Sequence, residues 1–156
     1  MRKNQKGFSL IELLIVVAII LVIAAIAVPN LMSARAAANE SSAVGALRTL
    51  ITANETYSTT YMQGYPASLA NLGPSTSPDA TAADLVDSNL ASGSKSGYTL
   101  VYTPGSQDGN GFFLTYAVNA NPTSTTVGTR YFYTDQTGVI TFSYGGAASN
   151  QDTPLD

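Results

Sequence analysis

An apolar run with a single carboxylate inside it constrains this chain more than any other feature. From Phe8 to Val28 only Ser9 and Glu12 are polar; Leu, Ile, Val and Ala dominate the rest, and neither Gly nor Pro interrupts. A helix of that length rises about 30 Å, the thickness of a bilayer's hydrocarbon core. The basic side chains Arg2, Lys3 and Lys6 stand just before it, which predicts a cytoplasmic N-terminus with the remainder across the membrane. The run is too long for a secretory signal peptide, whose apolar core is about 7–15 residues. The candidate cleavage point lies instead before the run, at Gly7–Phe8. An uncleaved signal anchor fits the length but leaves Glu12 unexplained. A carboxylate costs up to about 3 kcal/mol at the bilayer centre and less near the interface. Glu12 lies about 6 Å along the helix from Phe8, so it either snorkels to the interface or awaits a partner. A cut after Gly7 supplies one: the new amine of Phe8 on a neighbouring helix, displaced along the axis. In a low-dielectric bundle such a pair is strong and sets register.

The stretch "KGFSLIELLIVVAII" resembles the class III signal of type IV pilins and of the related type II secretion pseudopilins. The resemblance covers about the first 30 residues closely and its motif is specific. It implies cleavage after Gly7 by a prepilin peptidase, methylation of the Phe8 amine, and a role in assembly for Glu12. The family's proline falls on Pro29. One departure is that many pilins carry a helix-breaking Gly eight residues before that proline, where this chain has Leu21. Local melting of the helix in a filament then rests on Pro29.

Pro29 lacks an N–H and its ring crowds the carbonyl of Ala25, so it either kinks a helix or opens a new one. No loop chemistry follows it. Ala43, Leu47, Leu50, Tyr57 and Tyr61, with Val44 and Ile51 beside them, make one apolar helix face, with Asn54 as an anomaly in the stripe. Gly64 and Pro66 are stop signals. The expectation is one long, kinked helix from Phe8 to about Met62, spanning a membrane in its first half and lying on a globular domain in its second. Residues 65–96 read as a surface loop with a short helix near Thr81–Leu90. Strands are expected at 98–103 and 112–120, then a hairpin over 129–143 turning at Asp135–Gly138, then an irregular tail. A three- or four-stranded antiparallel sheet needs a cover, and the amphipathic helix provides it. The fold class is therefore α+β, a pilin-like roll. The domain reading is leader 1–7, transmembrane or filament-core helix 8–28, amphipathic helix 29–63, and head 64–156.

Composition narrows the function. The chain of 156 residues has no Cys, His or Trp and only 11% charged residues. That removes disulfides, the usual zinc ligand sets, and Ser-His or Cys-His nucleophiles. Loss of Arg2, Lys3 and Lys6 would leave 10 acidic side chains against the few remaining basic ones, which is no footprint for nucleic acid. Asp108, Asn110 and Asp135 offer oxygens of the kind Ca²⁺ takes, but read as turn residues; the acidic calcium loop of major pseudopilins has no counterpart. Asn39-Glu-Ser and Asn54-Glu-Thr match the glycosylation acceptor pattern by chance, inside a helix. The aromatics read as strand and core residues. The chain reads as no enzyme and implies no cofactor and no metal. The resemblance implies the structural subunit of a type IV pilus, with a type II secretion pseudopilin as the alternative. It implies other copies of itself, a prepilin peptidase, and an inner-membrane assembly platform with its ATPase as partners. It implies an inner-membrane, single-pass precursor that becomes a cell-surface filament.

Overall fold

The computed structural model describes residues 7–155; Arg2, Lys3 and Lys6, on which the expected orientation rests, lie outside the described residues. The chain divides into two units, one ending at Arg35 and the other running from Ala36. One α-helix, α1 (Leu10–Tyr61), contributes to both. In the first unit it runs through Pro29 without ending, so the reading of a helix that stops at Val28 is excluded. Helix α1 begins at Leu10 rather than Phe8 because Ser9 caps it. It ends one residue before Met62, whose φ of 54° is left-handed, and the expected Gly64 follows at φ 71°. A Cβ on Gly64 would lie 2.2 Å from the Phe113 carbonyl oxygen, so the turn after the helix also needs glycine for close approach.

The second unit is α+β. Its strands are β1 (Ser94–Lys95), β2 (Tyr98–Pro104), β3 (Tyr116–Pro122), β4 (Arg130–Asp135), β5 (Ile140–Tyr144) and β6 (Thr153–Pro154). They form an antiparallel meander in chain order, each paired with the next. Strands β2 and β3 follow the expected alternation, whereas β4 ends and β5 begins with two consecutive buried residues, Thr134–Asp135 and Ile140–Thr141. Tyr98 and Leu100 on β2, Tyr116, Val118 and Ala120 on β3, and Phe132 on β4 are buried on one face. Against them α1 sets Ala43, Val44, Leu47, Leu50 and Tyr57, the stripe read from the sequence.

The structure departs from expectation at three places, each for a backbone reason. Strand β3 starts at Tyr116, not 112, because Phe113 is diverted: its carbonyl accepts the Tyr65 N–H at 2.8 Å. The helix expected over Thr81–Leu90 is reduced to one turn, α2 (Ser88–Ala91), capped by Asp87. The N–H groups of Ala83, Asp84 and Leu85 instead donate to the carbonyls of Asn71, Gly73 and Leu72, so they are not available to a helix. The tail is not wholly irregular: β6 pairs with β5, and the Leu155 N–H donates to the Ile140 carbonyl at 2.7 Å. With β1 and β6 the sheet has six strands, not three or four.

Candidate functional site

Gly7 and Phe8 lie in non-helical backbone before α1, and Ser9 is its N-cap. The Ser9 Oγ accepts the Ile11 N–H at 3.4 Å. Glu12 reaches back, and its Oε2 accepts the Ser9 N–H at 2.8 Å. This is a reciprocal capping box, a feature worth about 1 kcal/mol to a helix. A negative charge here also suits the positive end of the helix dipole. Glu12 is thus not without a partner in the single chain. Ser-x-x-Glu directly before an apolar run is the sequence signature of such a box, and the expectation of Glu12 as a charge without a partner in its own chain leaves it out. Only one of its oxygens is engaged, and an ionised carboxylate has about four acceptor sites, so a second donor can still bind.

Beyond the cap, the first unit exposes its apolar side chains: Phe8 is 85% exposed, Leu10 80% and Ile26 64%. Among the described residues α1 is the one helix long and apolar enough to cross a membrane. Such a surface has to be covered by lipid or by other apolar helices. Pro29 lies about 25 Å along the helix axis from Glu12, so the structure does not bring it to the other three sequence-selected residues. Having no N–H, it leaves the Ala25 carbonyl without the usual helical donor. The Ser33 hydroxyl donates to the Pro29 carbonyl at 3.2 Å.

In the second unit the main polar feature is one that sequence reading missed. Glu40 on α1 is 6% exposed. Its Oε1 accepts the N–H groups of Thr129 at 2.8 Å and Arg130 at 3.2 Å. Its Oε2 accepts Arg130 Nε at 2.7 Å. Burial pushes this carboxyl up, but the Thr129 N–H and the Arg130 guanidinium and N–H outweigh it and hold the group below the usual carboxylate range. The guanidinium also lies over the rings of Phe132 and Phe142, at 5.4 and 5.5 Å. Next to it, the Asn39 amide donates to the Val127 carbonyl at 3.1 Å. Gly128 leaves room for all this: a Cβ there would sit 2.1 Å from the Tyr98 hydroxyl and 3.1 Å from Glu40 Cγ. No local pattern marks a pair separated by 90 positions.

The other residues weighed in the sequence have local roles. Asp108 Oδ1 accepts the N–H groups of Asn110 and Phe112, and Asp135 Oδ1 accepts the N–H and hydroxyl of Thr137, as turn residues do. Asn54 is fully buried; its amide donates to the Leu50 carbonyl and its Oδ1 accepts the Tyr102 hydroxyl at 3.1 Å. That bond accounts for the polar residue in the apolar stripe. Tyr57 and Tyr61 on α1 have ring centroids 4.9 Å apart, and Tyr116 packs on Tyr65 at 4.7 Å and on Tyr102 at 5.8 Å, as core residues do.

Comparison with known proteins bears on the N-terminal segment. The prokaryotic N-terminal methylation motif matches residues 2–28. The chain is 47% identical over 55 residues to the type IV wide pilus major component PilA4 of Thermus thermophilus, a stretch covering 35% of this chain and 42% of that protein. It is 48% identical over 54 residues to the type IV major pilin protein PilA of Myxococcus xanthus, covering 35% of this chain and 24% of that protein. The matched stretch is thus less than half the length of each relative. No solved structure is a significant match. The N-terminal segment of this chain thus carries the methylation motif and is similar to the matching segments of these two pilus proteins.

Proposed function

We propose that this chain is a structural subunit of a type IV pilus, cut after Gly7 and methylated on the Phe8 amine, and polymerised through α1. The observation that carries the reading is one helix that combines the methylation motif with an uncovered apolar surface. Before assembly that surface lies in the inner membrane; in the filament it lies against α1 of other copies, with the head outermost. Leader 1–7, core helix 8–28, amphipathic helix 29–63 and head 64–156 are the corresponding parts. A prepilin peptidase removes the leader, and a membrane platform with its ATPase drives polymerisation. Glu12 keeps its bond to Ser9 and offers its free oxygen to the Phe8 amine of a neighbour, which fixes the axial offset between subunits. Pro29 removes one helical hydrogen bond where α1 must adapt to its neighbours. Both named relatives are pilus components, which favours a pilus over a secretion pseudopilus.

Mass spectrometry of subunits sheared from the cell surface tests this. The expected mature chain starts at Phe8 with one added methyl group. A subunit that keeps Met1, or that starts beyond Val28, would overturn the proposal.

A further inference from the structure

The turn between β2 and β3 holds the one Asn-Gly pair in the chain, Asn110–Gly111. Both residues are exposed. Apart from the adjoining residues, no atom lies within 4 Å of where a side chain on Gly111 would begin, and the same is true of Gly109 on the other side. Water and hydroxide therefore reach this turn from the solvent side. Glycine also leaves its own nitrogen unshielded, as no other residue does. The carboxamide has one weak restraint, a bond from Nδ2 to Asp108 Oδ2 at 3.3 Å. The Gly111 N–H donates to the Asp108 carbonyl at 3.1 Å, in a turn at the surface where such bonds open readily.

We infer that Asn110 is a site of spontaneous covalent modification, deamidating through a cyclic imide to aspartate and isoaspartate. Hydroxide takes the Gly111 N–H proton, and the nitrogen attacks Asn110 Cγ. The new N–Cγ bond forms as the Cγ–Nδ2 bond breaks, and Nδ2 leaves as ammonia with a proton from water. Water then opens the ring at either carbonyl. Breaking the N–Cγ bond gives aspartate; breaking the original peptide bond leaves the chain running through Cγ as isoaspartate. No oxidant or cofactor takes part.

The other asparagines set the contrast. Asn54 and Asn119 are followed by Glu and Ala. The amide of Asn54 is buried in α1, and that of Asn119 is held at 2.7 Å by the Ala148 carbonyl. Asp108–Gly109 shares the glycine, but its carboxylate is a poorer electrophile and is engaged by the N–H groups of Asn110 and Phe112. The product puts a second carboxylate two residues from Asp108, so the turn gains negative charge with the age of the molecule. An isoaspartate also adds an atom to the backbone of the β2–β3 connection.

The test uses the purified full chain, incubated at pH 7 and pH 9 and then digested with trypsin. Cuts after Lys95 and Arg130 place Asn110 and Asn119 in one peptide. The expected result is an amide-to-acid mass change at Asn110 that grows with time and pH. Isoaspartate should accompany it, Asn119 should stay unchanged, and the signal should vanish in Asn110→Gln. Equal conversion at Asn110 and Asn119, or none at Asn110 at pH 9, would overturn the inference.

Discussion

Replacing Glu40 by alanine removes the acceptor for two backbone N–H groups and for the Arg130 guanidinium. Breaking a buried ion pair from one side costs about 3–5 kcal/mol, because the partner charge and donors are left unpaired. The Arg130 side chain keeps 29% of its surface in water, so its stranded charge is partly hydrated and the lower end, about 3 kcal/mol, is expected. Glu40→Gln keeps an acceptor oxygen but loses the charge, and about half that cost is expected. The assay is urea unfolding of the full chain in detergent micelles, followed by the near-ultraviolet circular dichroism of the tyrosines. With a slope of about 2 kcal/mol per molar urea, Glu40→Ala lowers the midpoint by about 1.5 M. Because the Glu40 carboxyl is held low in the folded protein, its contribution is fully present above the unfolded pKa, about 4.3, and is lost as pH falls through the folded value. The gap between wild type and Glu40→Gln is therefore constant near neutrality and narrows below about pH 4. A loss under about 1 kcal/mol for Glu40→Ala, as an exposed pair would give, or a gap unchanged in acid, would refute the reasoning.

Three further outcomes are expected. Glu12→Ala removes the bond to the Ser9 N–H and the proposed partner of a neighbour's Phe8 amine but not the apolar surface, so membrane-inserted subunit stays abundant while sheared filaments disappear; Glu12→Ala filaments in wild-type yield would show that the carboxylate serves only the helix start. Pro29→Ala restores an N–H to the helix and changes filament assembly or its helical parameters, and imaging that finds both unchanged would reduce Pro29 to a tolerated helix residue. Gly128→Ala drives a methyl into the Tyr98 hydroxyl and lowers head stability by about 1–3 kcal/mol in the same unfolding assay, an effect that Tyr98→Phe should partly relieve; an unperturbed midpoint would mean that the segment shifts freely.

What was legible in the sequence had a period or a punctuation mark. The stripe from Ala43 to Tyr61 and the alternation of β2 and β3 repeat because burial against one surface forces that repetition, while the run at Phe8–Val28 is marked by its length and unbroken apolarity. What was missed depended on partners distant in the chain. Phe113 reads as strand until the Tyr65 N–H takes its carbonyl. Residues 83–86 read as helix until the 71–73 segment takes their donors. Glu40 and Arg130 look like two ordinary surface charges, and nothing local joins them. The Ser9–Glu12 box is different, since its whole signal lies within four residues. The cost of a charge in lipid masks it, since the same carboxylate carries both effects.

Among the described residues, Glu40 is the first side chain along the chain that is buried. In the proposed filament, a subunit held by its N-terminal helix receives tension along α1, and the head takes up that load where α1 first gains a fixed attachment. That attachment is the Asn39–Val127 bond and the Glu40 bonds to Thr129 and Arg130. Hydrogen bonds are short-ranged and directional, so they resist a small displacement stiffly and fail within a fraction of an ångström to an ångström. Apolar contacts such as Leu47 and Leu50 yield more gradually. The head therefore meets a pull with a stiff polar latch before its compliant core is strained.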